Sequence, residues 1–364
     1  MLSIGIVGLP NVGKSTLFNA LTDNNVLAAN YPFATIEPNT GIVPVPDERL
    51  TKLAELYLSK KVVPATVTFV DIAGLVAGAS QGEGLGNQFL SHIRSCSAIV
   101  QVVRAFKDDN VQHVDVEHDP EKDIAVINTE LVLADLQTVE RSLPRLQKEA
   151  KANPKLKAAL ELAEEVKNIL NAGTPLHQES RIMNHELRDW LQLELQLLTL
   201  KPVIYLFNVD ETHLNDEATQ QQLISLVAPA QALFVCAKLE SELRGLDQAD
   251  RQELLESYQV KESGLVQLIH AAYHILGLQS YLTAGEQEVR AWTIKQGATA
   301  PQAAGVIHGD FERGFIAAQI VDYDDLLAAG SEQAAKSAGK LRTEGKDYVM
   351  QPGDIVEFRF NVSK

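Results

Sequence analysis

Cysteine is scarce in this sequence, and its two copies, Cys96 and Cys236, lie far apart along the chain. They lack the spacing of a zinc ligand pair, and two distant cysteines cannot form the dense framework that staples small secreted proteins. Each lies in or beside an apolar stretch, where a free thiol behaves as a small core residue. The sequence therefore predicts neither a disulfide scaffold nor a zinc site.

Positive charge is also in short supply. Lysine and arginine number 32 against 48 aspartates and glutamates, which gives a net charge of −16. The phosphate backbone of a nucleic acid would repel such a chain overall, so the composition argues against an unspecialised nucleic-acid coat. A local basic face is still compatible with this balance.

Long hydrophobic runs are absent, and no charged-then-apolar leader precedes Ile4. We therefore expect a soluble, cytoplasmic protein with no membrane partner. The 364 residues, 45% of them hydrophobic, are enough for two or three domains with cores of their own.

The most informative stretch is a glycine-rich loop near the N-terminus. Residues 8–15 read Gly-Leu-Pro-Asn-Val-Gly-Lys-Ser, which fits the pattern G-x-x-x-x-G-K-[ST]. The apolar residues 2–7 before it predict a buried strand, and residues 16–21 after it predict the first turns of a helix. In this context the pattern predicts a P-loop that binds a nucleoside triphosphate.

The chemistry of phosphate binding explains these residue types. Gly8 and Gly13 let the backbone bend so that its N–H groups point at a phosphate chain, and the following helix adds its positive N-terminal end. Lys14 can reach the β- and γ-phosphates, and the Ser15 hydroxyl can ligate Mg²⁺. The residues expected to contact the nucleotide here are Asn11, Val12, Gly13, Lys14, Ser15 and Thr16.

Two further stretches have the character of nucleotide-sensing loops. Residues 30–41 contain two prolines and no helical period, and Thr35 and Thr40 are both candidates to offer a hydroxyl to Mg²⁺. The predicted strand 65–70 is followed by Asp71 and by Gly74, in the pattern Asp-x-x-Gly. The Asp71 carboxylate is suited to the Mg²⁺ site, and the Gly74 N–H to the γ-phosphate.

The residue directly after this pattern is Leu75, where small GTPases place a glutamine that orients water. Leucine cannot polarise water, so hydrolysis requires another group. His92, His113 and Gln81 are the candidates nearby in sequence. The flanking residues 73–86 contain five glycines, too many for a stable helix.

Between residues 124 and 200 the hydrophobic pattern becomes helical. We expect an antiparallel, coiled-coil-like arm inserted into an α/β domain, with a break at residues 171–175 and a kink or end at Pro144. Its middle is basic, which indicates either a solvated helix face or a binding surface. The basic residues are Arg141, Arg145, Lys148, Lys151, Lys155 and Lys157.

The predicted strand 202–207 ends in Asn208-Val209-Asp210-Glu211, at the base-reading position of this fold. The guanine-specific motif is Asn-Lys-x-Asp, whose aspartate accepts from guanine N1–H and N2–H₂. Here Glu211 is in that fourth place, which favours adenine, although a shifted loop could let Asp210 read guanine. Residues 232–240 predict the last strand, with a base-cradling loop at Cys236, Ala237 and Lys238.

The last part of the chain predicts a small separate domain. Residues 289–294 and 354–362 alternate like strands, residues 302–307 indicate a helix, and residues 308–315 indicate a turn into a further strand. This mixture suits a ubiquitin-like β-grasp.

Together these motifs resemble the Obg-like ATPase (YchF) family of translation-factor-class P-loop NTPases, over essentially the whole chain. The resemblance implies an α/β, G-domain-like fold with an inserted coiled-coil arm and a C-terminal β-grasp (TGS-like) domain. The corresponding domains are residues 1–123 with 201–277 for nucleotide binding, 124–200 for the arm and 278–364 for the β-grasp.

The resemblance also implies an ATP hydrolase that prefers ATP to GTP and contacts ribosomes or other translation-linked assemblies. It implies Mg²⁺ ligands at Ser15 and Thr35, adenine contacts at Asn208 and Val209, and water activation near His113. The remaining base-side candidates are Glu211, Cys236 and Ala237.

Two alternatives stay open, a GTPase of the same fold and an RNA or ribosome interaction module whose nucleotide is structural. We expect a monomer. Asn11 either suits a tight turn or helps to hold K⁺ beside the phosphates.

Overall fold

The computed structural model describes residues 2–23, 39–72, 85–106, 119–179 and 185–361. They form two compact units, one drawn from residues 1–42 and 68–268 and the other from residues 43–67 and 269–364. Among the described residues no helix is both long and apolar enough to span a membrane.

The described residues contain twelve β-strands. They are β1 (Ser3–Val7), β2 (Thr40–Pro44), β3 (Val62–Val63), β4 (Thr66–Asp71), β5 (Ala98–Ala105), β6 (Val203–Val209), β7 (Gln231–Val235), β8 (Leu278–Thr283), β9 (Val289–Lys295), β10 (Phe315–Asp322), β11 (Arg342–Glu344) and β12 (Asp354–Phe360).

The same residues contain fourteen α-helices. They are α1 (Lys14–Asp23), α2 (Glu48–Tyr57), α3 (Leu85–Ser95), α4 (Pro120–Ala152), α5 (Lys157–Asn171), α6 (His185–Leu195), α7 (Glu217–Val227), α8 (Ala237–Glu242), α9 (Gln248–Ser257), α10 (Gly264–Ile275), α11 (Ala300–Ile307), α12 (Gly309–Arg313), α13 (Tyr323–Ala329) and α14 (Glu332–Ser337).

The first unit is built on a six-stranded sheet in the order β2-β4-β1-β5-β6-β7. The pairs β4–β1, β1–β5, β5–β6 and β6–β7 are all parallel. Strand β6 is buried along its whole length, as expected of a strand in a parallel sheet covered on both faces. Parallel strands place the loops after β1, β4, β6 and β7 at one edge of the sheet, where α/β folds bind ligands.

Strands β1, β4, β5, β6 and β7 lie where the sequence predicts strands, with one correction at the end of β7, whereas β2 has no counterpart in the sequence prediction. The last strand does not run to Glu240, because β7 ends at Val235 and α8 begins at Ala237. Glu240 is buried and accepts hydrogen bonds from Ser263 Oγ (2.8 Å) and the Leu265 N–H (3.3 Å). Ala237 and Lys238 therefore lie in the first turn of a helix.

Helices α4, α5 and α6 share one hydrophobic core, to which all three contribute buried leucine, valine or alanine. Helix α4 does not end at Pro144 but continues to Ala152. Pro144 is exposed, and so is Glu140, the residue whose carbonyl the missing N–H would have bonded. Its neighbours Leu143 and Leu146 are buried in the shared core and hold this turn in place.

The second unit has a mixed sheet in the order β11-β10-β12-β8-β9-β3. Strands β8 and β9 form an antiparallel hairpin, and α11 comes next in the chain. The last strand, β12, lies inside the sheet, antiparallel to β10 and parallel to β8. This is the small mixed α/β arrangement that the sequence predicts, although residues 309–313 form helix α12 rather than a turn. The unit also includes α2 and β3, which lie in the part of the chain that sequence reasoning places in the nucleotide-binding domain.

Candidate nucleotide-binding site

The loop between β1 and α1 has the strained backbone of a phosphate-binding loop. Gly13 has a φ of 91° and Asn11 a φ of 63°, both in the left-handed region. Gly8 is needed for space rather than for its dihedral angles, since an added Cβ would lie 2.9 Å from the Val102 carbonyl oxygen. The Leu17 N–H donates to the Gly13 carbonyl (3.0 Å) and so starts α1 directly after the loop.

Lys14 joins this loop to the end of β4. Its Nζ lies 2.7 Å from Asp71 Oδ1 and donates to the Ile72 carbonyl at 2.7 Å. The Lys14 residue is only 9% exposed, so its ammonium group is largely removed from solvent and held between two oxygens. The structure thus brings together Lys14 and Asp71, which the sequence motifs assign to the same site.

Asn208 ties the P-loop to the segment after β7. Its Nδ2 donates to the Val12 carbonyl (3.0 Å), and its Oδ1 accepts from the Ala237 N–H (3.1 Å). Asn208 is buried, and an added Cβ at Gly13 would lie 2.4 Å from its Nδ2. This amide fixes the spacing of the two loops, which is a positioning role in addition to the predicted contact with the base.

The Asp210 carboxylate accepts hydrogen bonds from residues of its own turn. Its Oδ1 accepts from the Thr212 N–H and hydroxyl (3.0 and 2.7 Å) and from the His213 N–H and Nδ1 (3.1 and 2.7 Å). Burial alone would raise the pKa of Asp210, but these hydrogen bonds outweigh it and lower the pKa below its usual value. An aspartate held in this way is poorly placed to move into register and read guanine.

Glu211 faces the first turn of α8. Its Oε1 lies 2.6 Å from Lys238 Nζ, and the neighbouring carboxylate raises the pKa of Lys238. Val209 and Cys236 are both buried in the core. Residues 208–211 and 236–238, which the sequence assigns to the base, are therefore in contact with each other.

The residues present fit a magnesium ion. Ser15 lies exposed in the first turn of α1, and Asp71 lies at the end of β4 against Lys14. Hydroxyl and carboxylate oxygens are the hard donors that Mg²⁺ prefers, and Mg²⁺ commonly uses one or two of them together with substrate phosphates. Consistent with that pattern, the described residues contain no cluster of three or more His, Cys, Asp or Glu that could hold a metal alone.

Several predicted site residues lie outside the described residues, namely Thr35, Gly74, Leu75, Gln81 and His113. Of the alternatives that are described, Thr40 begins β2, and His92 lies exposed on α3. Sequence reasoning missed the Ile72 carbonyl and the pairing of Lys238 with Glu211. The only indication in the sequence of the pairing of Lys238 with Glu211 is that Lys238 lies in the predicted base-cradling loop.

A second group of polar side chains lies where α4 meets the sheet. Tyr205, on β6, has its hydroxyl 3.3 Å from Asn128 Nδ2 and 3.2 Å from His177 Nε2. Asp135 is fully buried and accepts from the Leu198 N–H (2.8 Å) and the Thr199 N–H (2.7 Å). Strand β6 thus carries Asn208 at its nucleotide end and Tyr205 against the helical insertion.

Comparison with known proteins agrees with this geometry. Residues 3–134 match the family described as 50S ribosome-binding GTPase, and residues 278–361 match the YchF-GTPase C-terminal family, described as a protein of unknown function (DUF933). The Ribosome-binding ATPase YchF of Bacillus subtilis (strain 168) is 52% identical over 99% of this chain and 100% of its own length.

Solved structures give the same result. The Schizosaccharomyces pombe YchF GTPase superposes with a TM-score of 0.86 at 41% identity, covering 98% of this chain and 97% of that one. A GTP binding protein from Pyrococcus horikoshii OT3 shares the fold, with a TM-score of 0.62 at 21% identity over 99% of this chain and 100% of that one.

Proposed function

This chain belongs to the YchF family, and on that premise we propose that it is an ATPase that slowly hydrolyses ATP with Mg²⁺ and engages the ribosome. The observation that carries the proposal is that the P-loop of the first unit is joined by side-chain contacts to two other parts of the same site. Lys14 meets Asp71 at its phosphate side, and Asn208 joins the same loop to the base side.

Different residues of the site bind the phosphates and the metal ion of the triphosphate. The backbone N–H groups of residues 11–16 surround the phosphates, and Lys14 places its ammonium group on the β- and γ-phosphate oxygens. Ser15 and Asp71, with Thr35, would hold Mg²⁺, which neutralises phosphate charge when bound. The Lys14–Asp71 pair keeps both groups in position, because each finds an opposite charge within the site.

The residues expected to contact the base favour ATP over GTP. Asp210 is occupied by Thr212 and His213, and Glu211 is paired with Lys238. Each carboxylate is already engaged at one oxygen, so the N1–H and N2–H₂ donors of guanine would lack the pair of acceptors that they need. The names of relatives point both ways, ATPase in Bacillus subtilis and GTPase in Schizosaccharomyces pombe, so the GTPase alternative has to be tested on this chain.

For hydrolysis we assign water activation to His113, with Gly74 donating to the γ-phosphate, because Leu75 cannot orient water.

Asn11, in the left-handed conformation within the phosphate loop, is our candidate for holding K⁺. Equal hydrolysis rates in Na⁺ and K⁺ salts at matched ionic strength would remove the K⁺ role and leave Asn11 as a turn residue.

The ribosome is the partner we propose, with the helical insertion and the TGS-like second unit as contact surfaces. The six basic residues that the sequence places in the middle of the insertion are all exposed, and their charge suits ribosomal RNA despite the acidic chain. They are Arg141, Arg145, Lys148, Lys151, Lys155 and Lys157. A monomer in the cytoplasm is the form in which we expect this contact, and a role as an RNA-binding module with a structural nucleotide is the competing function.

Co-sedimentation with ribosomes tests the proposal. We expect more of the protein in the ribosome pellet with a non-hydrolysable ATP analogue than with no nucleotide, because the nucleotide orders the loops around the phosphates. Lys14→Ala should remove this dependence on the nucleotide.

The double variant Lys148→Glu with Lys151→Glu tests the basic surface, and it should weaken pelleting while ATP affinity is retained. Equal pelleting with and without the analogue would refute the switch and favour the RNA-binding alternative.

A further inference from the structure

We propose that Lys238 determines base specificity by holding the Glu211 carboxylate in an ion pair, so that this carboxylate cannot read guanine. The inference rests on the proposed function, since it concerns which base the same site accepts. It assigns the preference for adenine to a lysine that lies on α8, outside the segment 208–211 that corresponds to the base-reading motif.

Two links join the segment after β6 to the start of α8. The first is the hydrogen bond from the Ala237 N–H to Asn208 Oδ1 at 3.1 Å. The second is the contact of Lys238 Nζ with Glu211 Oε1 at 2.6 Å. Because Asn208 and Glu211 are the first and fourth residues of the motif, the two links fix both ends of it against adjacent residues of α8.

The chemistry of the fourth position makes the second link decisive. A free carboxylate there is a pair of acceptors, which matches the N1–H and N2–H₂ donors of guanine and faces an acceptor at N1 of adenine. Glu211 has such a carboxylate, and its greater length alone does not prevent it from bending toward a base. The Lys238 ammonium group occupies one oxygen and neutralises the charge, so guanine loses its partner and adenine loses a repulsive neighbour.

The exposure of the two side chains limits the size of the effect. Lys238 is 68% exposed and Glu211 is 34% exposed, so water and salt compete with the pair. We expect that removing Lys238 lowers the preference for ATP over GTP about fivefold. The exposure of Lys238 also means that its replacement removes no core packing.

Calorimetric titration of the full chain with ATP, GTP and ITP tests the inference. Lys238→Ala should tighten GTP relative to ATP by about fivefold, and it should favour GTP more than ITP, which has N1–H but lacks the 2-amino group. Lys238→Arg keeps a cation on Glu211 and should leave the ratio of affinities unchanged. In a Glu211→Gln background, Lys238→Ala should no longer change the ratio, because the carboxylate is already gone.

The outcomes separate this inference from the proposed function. An ATP/GTP ratio that Lys238→Ala does not change, or equal weakening of both nucleotides, would show that the pair only holds the loop and would overturn the inference. Failure of the unmodified chain to bind either nucleotide would instead overturn the proposed function.

Discussion

Lys14 is the residue on which the phosphate side of the site depends. It is the first residue of α1, directly after the loop, it is largely buried, and it bridges the Asp71 carboxylate and the Ile72 carbonyl. In the P-loop motif no second cation is placed to replace it. The same ammonium group therefore holds the end of β4 and provides the positive charge for a triphosphate.

Replacing Lys14 by alanine should abolish detectable triphosphate binding, because the β- and γ-phosphate oxygens lose their cation and Asp71 is left without its counter-charge. Titration with a fluorescent ATP analogue measures this. Lys148→Ala, on the exposed face of α4, is the matched control and should bind normally. Ser15→Ala should weaken binding mainly when Mg²⁺ is present. Unchanged affinity in Lys14→Ala would show that the P-loop assignment is wrong.

At the residue scale the sequence predicts those features that a local motif determines. The left-handed Gly13 and the helix directly after the loop are consequences of the P-loop pattern, and the meeting of Lys14 with Asp71 follows from two motifs that belong to the same site. The pairing of Glu211 with Lys238 does not follow in this way, because no motif in the sequence assigns Lys238 a partner.

At the scale of secondary-structure elements, a single buried carboxylate joins α4 to the turn before β6. Asp135 accepts from the Leu198 and Thr199 N–H groups and from the Thr199 hydroxyl at 2.7 Å. Burial raises its pKa from 3.8 to about 6, and these hydrogen bonds only partly oppose the shift. Because the folded pKa lies above the unfolded one, Asp135 contributes most to stability at low pH, and this contribution is lost as the pH rises through about 6.

Asp135→Asn should destabilise the helical insertion by about 1–3 kcal/mol, since its amide turns a donor toward N–H groups that need acceptors. The penalty should be larger at pH 5 than at pH 7.5, by about 1 kcal/mol. Urea unfolding followed by Trp190, which packs against this core, measures both values in a Trp292→Phe background. Thr199→Val removes only the hydroxyl donor and should cost less. Equal penalties at the two pH values would contradict the assignment of the raised pKa.

The end of α2 carries a leucine in a conformation that suits glycine. Leu58 has φ 51° and ψ 45°, is 84% exposed, and its N–H bonds the Ala54 and Glu55 carbonyls. A side chain in this left-handed region costs about 1–2 kcal/mol, and here it gains little from burial.

Leu58→Gly should therefore stabilise the second unit by about 0.5 kcal/mol, after allowance for the greater freedom of glycine in the unfolded chain. Leu58→Ala, which keeps Cβ, is the control and should give no gain. Urea unfolding followed by Trp292 in a Trp190→Phe background measures the effect in that unit. A loss of stability in Leu58→Gly would show that the exposed leucine side chain makes a favourable contact.

The ends of some helices and strands differ from those predicted from the local sequence, because tertiary packing determines them. Pro144 predicts a kink or an end of the helix, and α4 does not end there because Leu143 and Leu146 are buried with α5 and α6. Residues 232–240 read as one apolar strand, yet the chain turns into α8 after Cys236, where the Ala237 N–H bonds Asn208. In both places the deciding contact comes from a distant part of the chain.

At the scale of the whole molecule, the α/β class of the first unit and the mixed α/β character of the C-terminal part could be predicted from apolar runs and motif order, whereas the strand order comes from the structure. The inclusion of residues 43–67 in the second unit could not. Its sheet contact is β3, a two-residue strand that pairs in parallel with β9 at Val62–Val289 and Val63–Arg290. So short a strand has no periodicity of its own to read.

Base choice is the property of the whole molecule that distinguishes the proposed ATPase from the GTPase alternative. The most direct measurement is a pair of calorimetric titrations of the unmodified protein, one with ATP and one with GTP, in the presence of Mg²⁺. With Asp210 held by its own turn and Glu211 paired with Lys238, ATP should bind at least about tenfold tighter than GTP. Tighter binding of GTP would contradict this account, because one of these carboxylates would then be reading guanine.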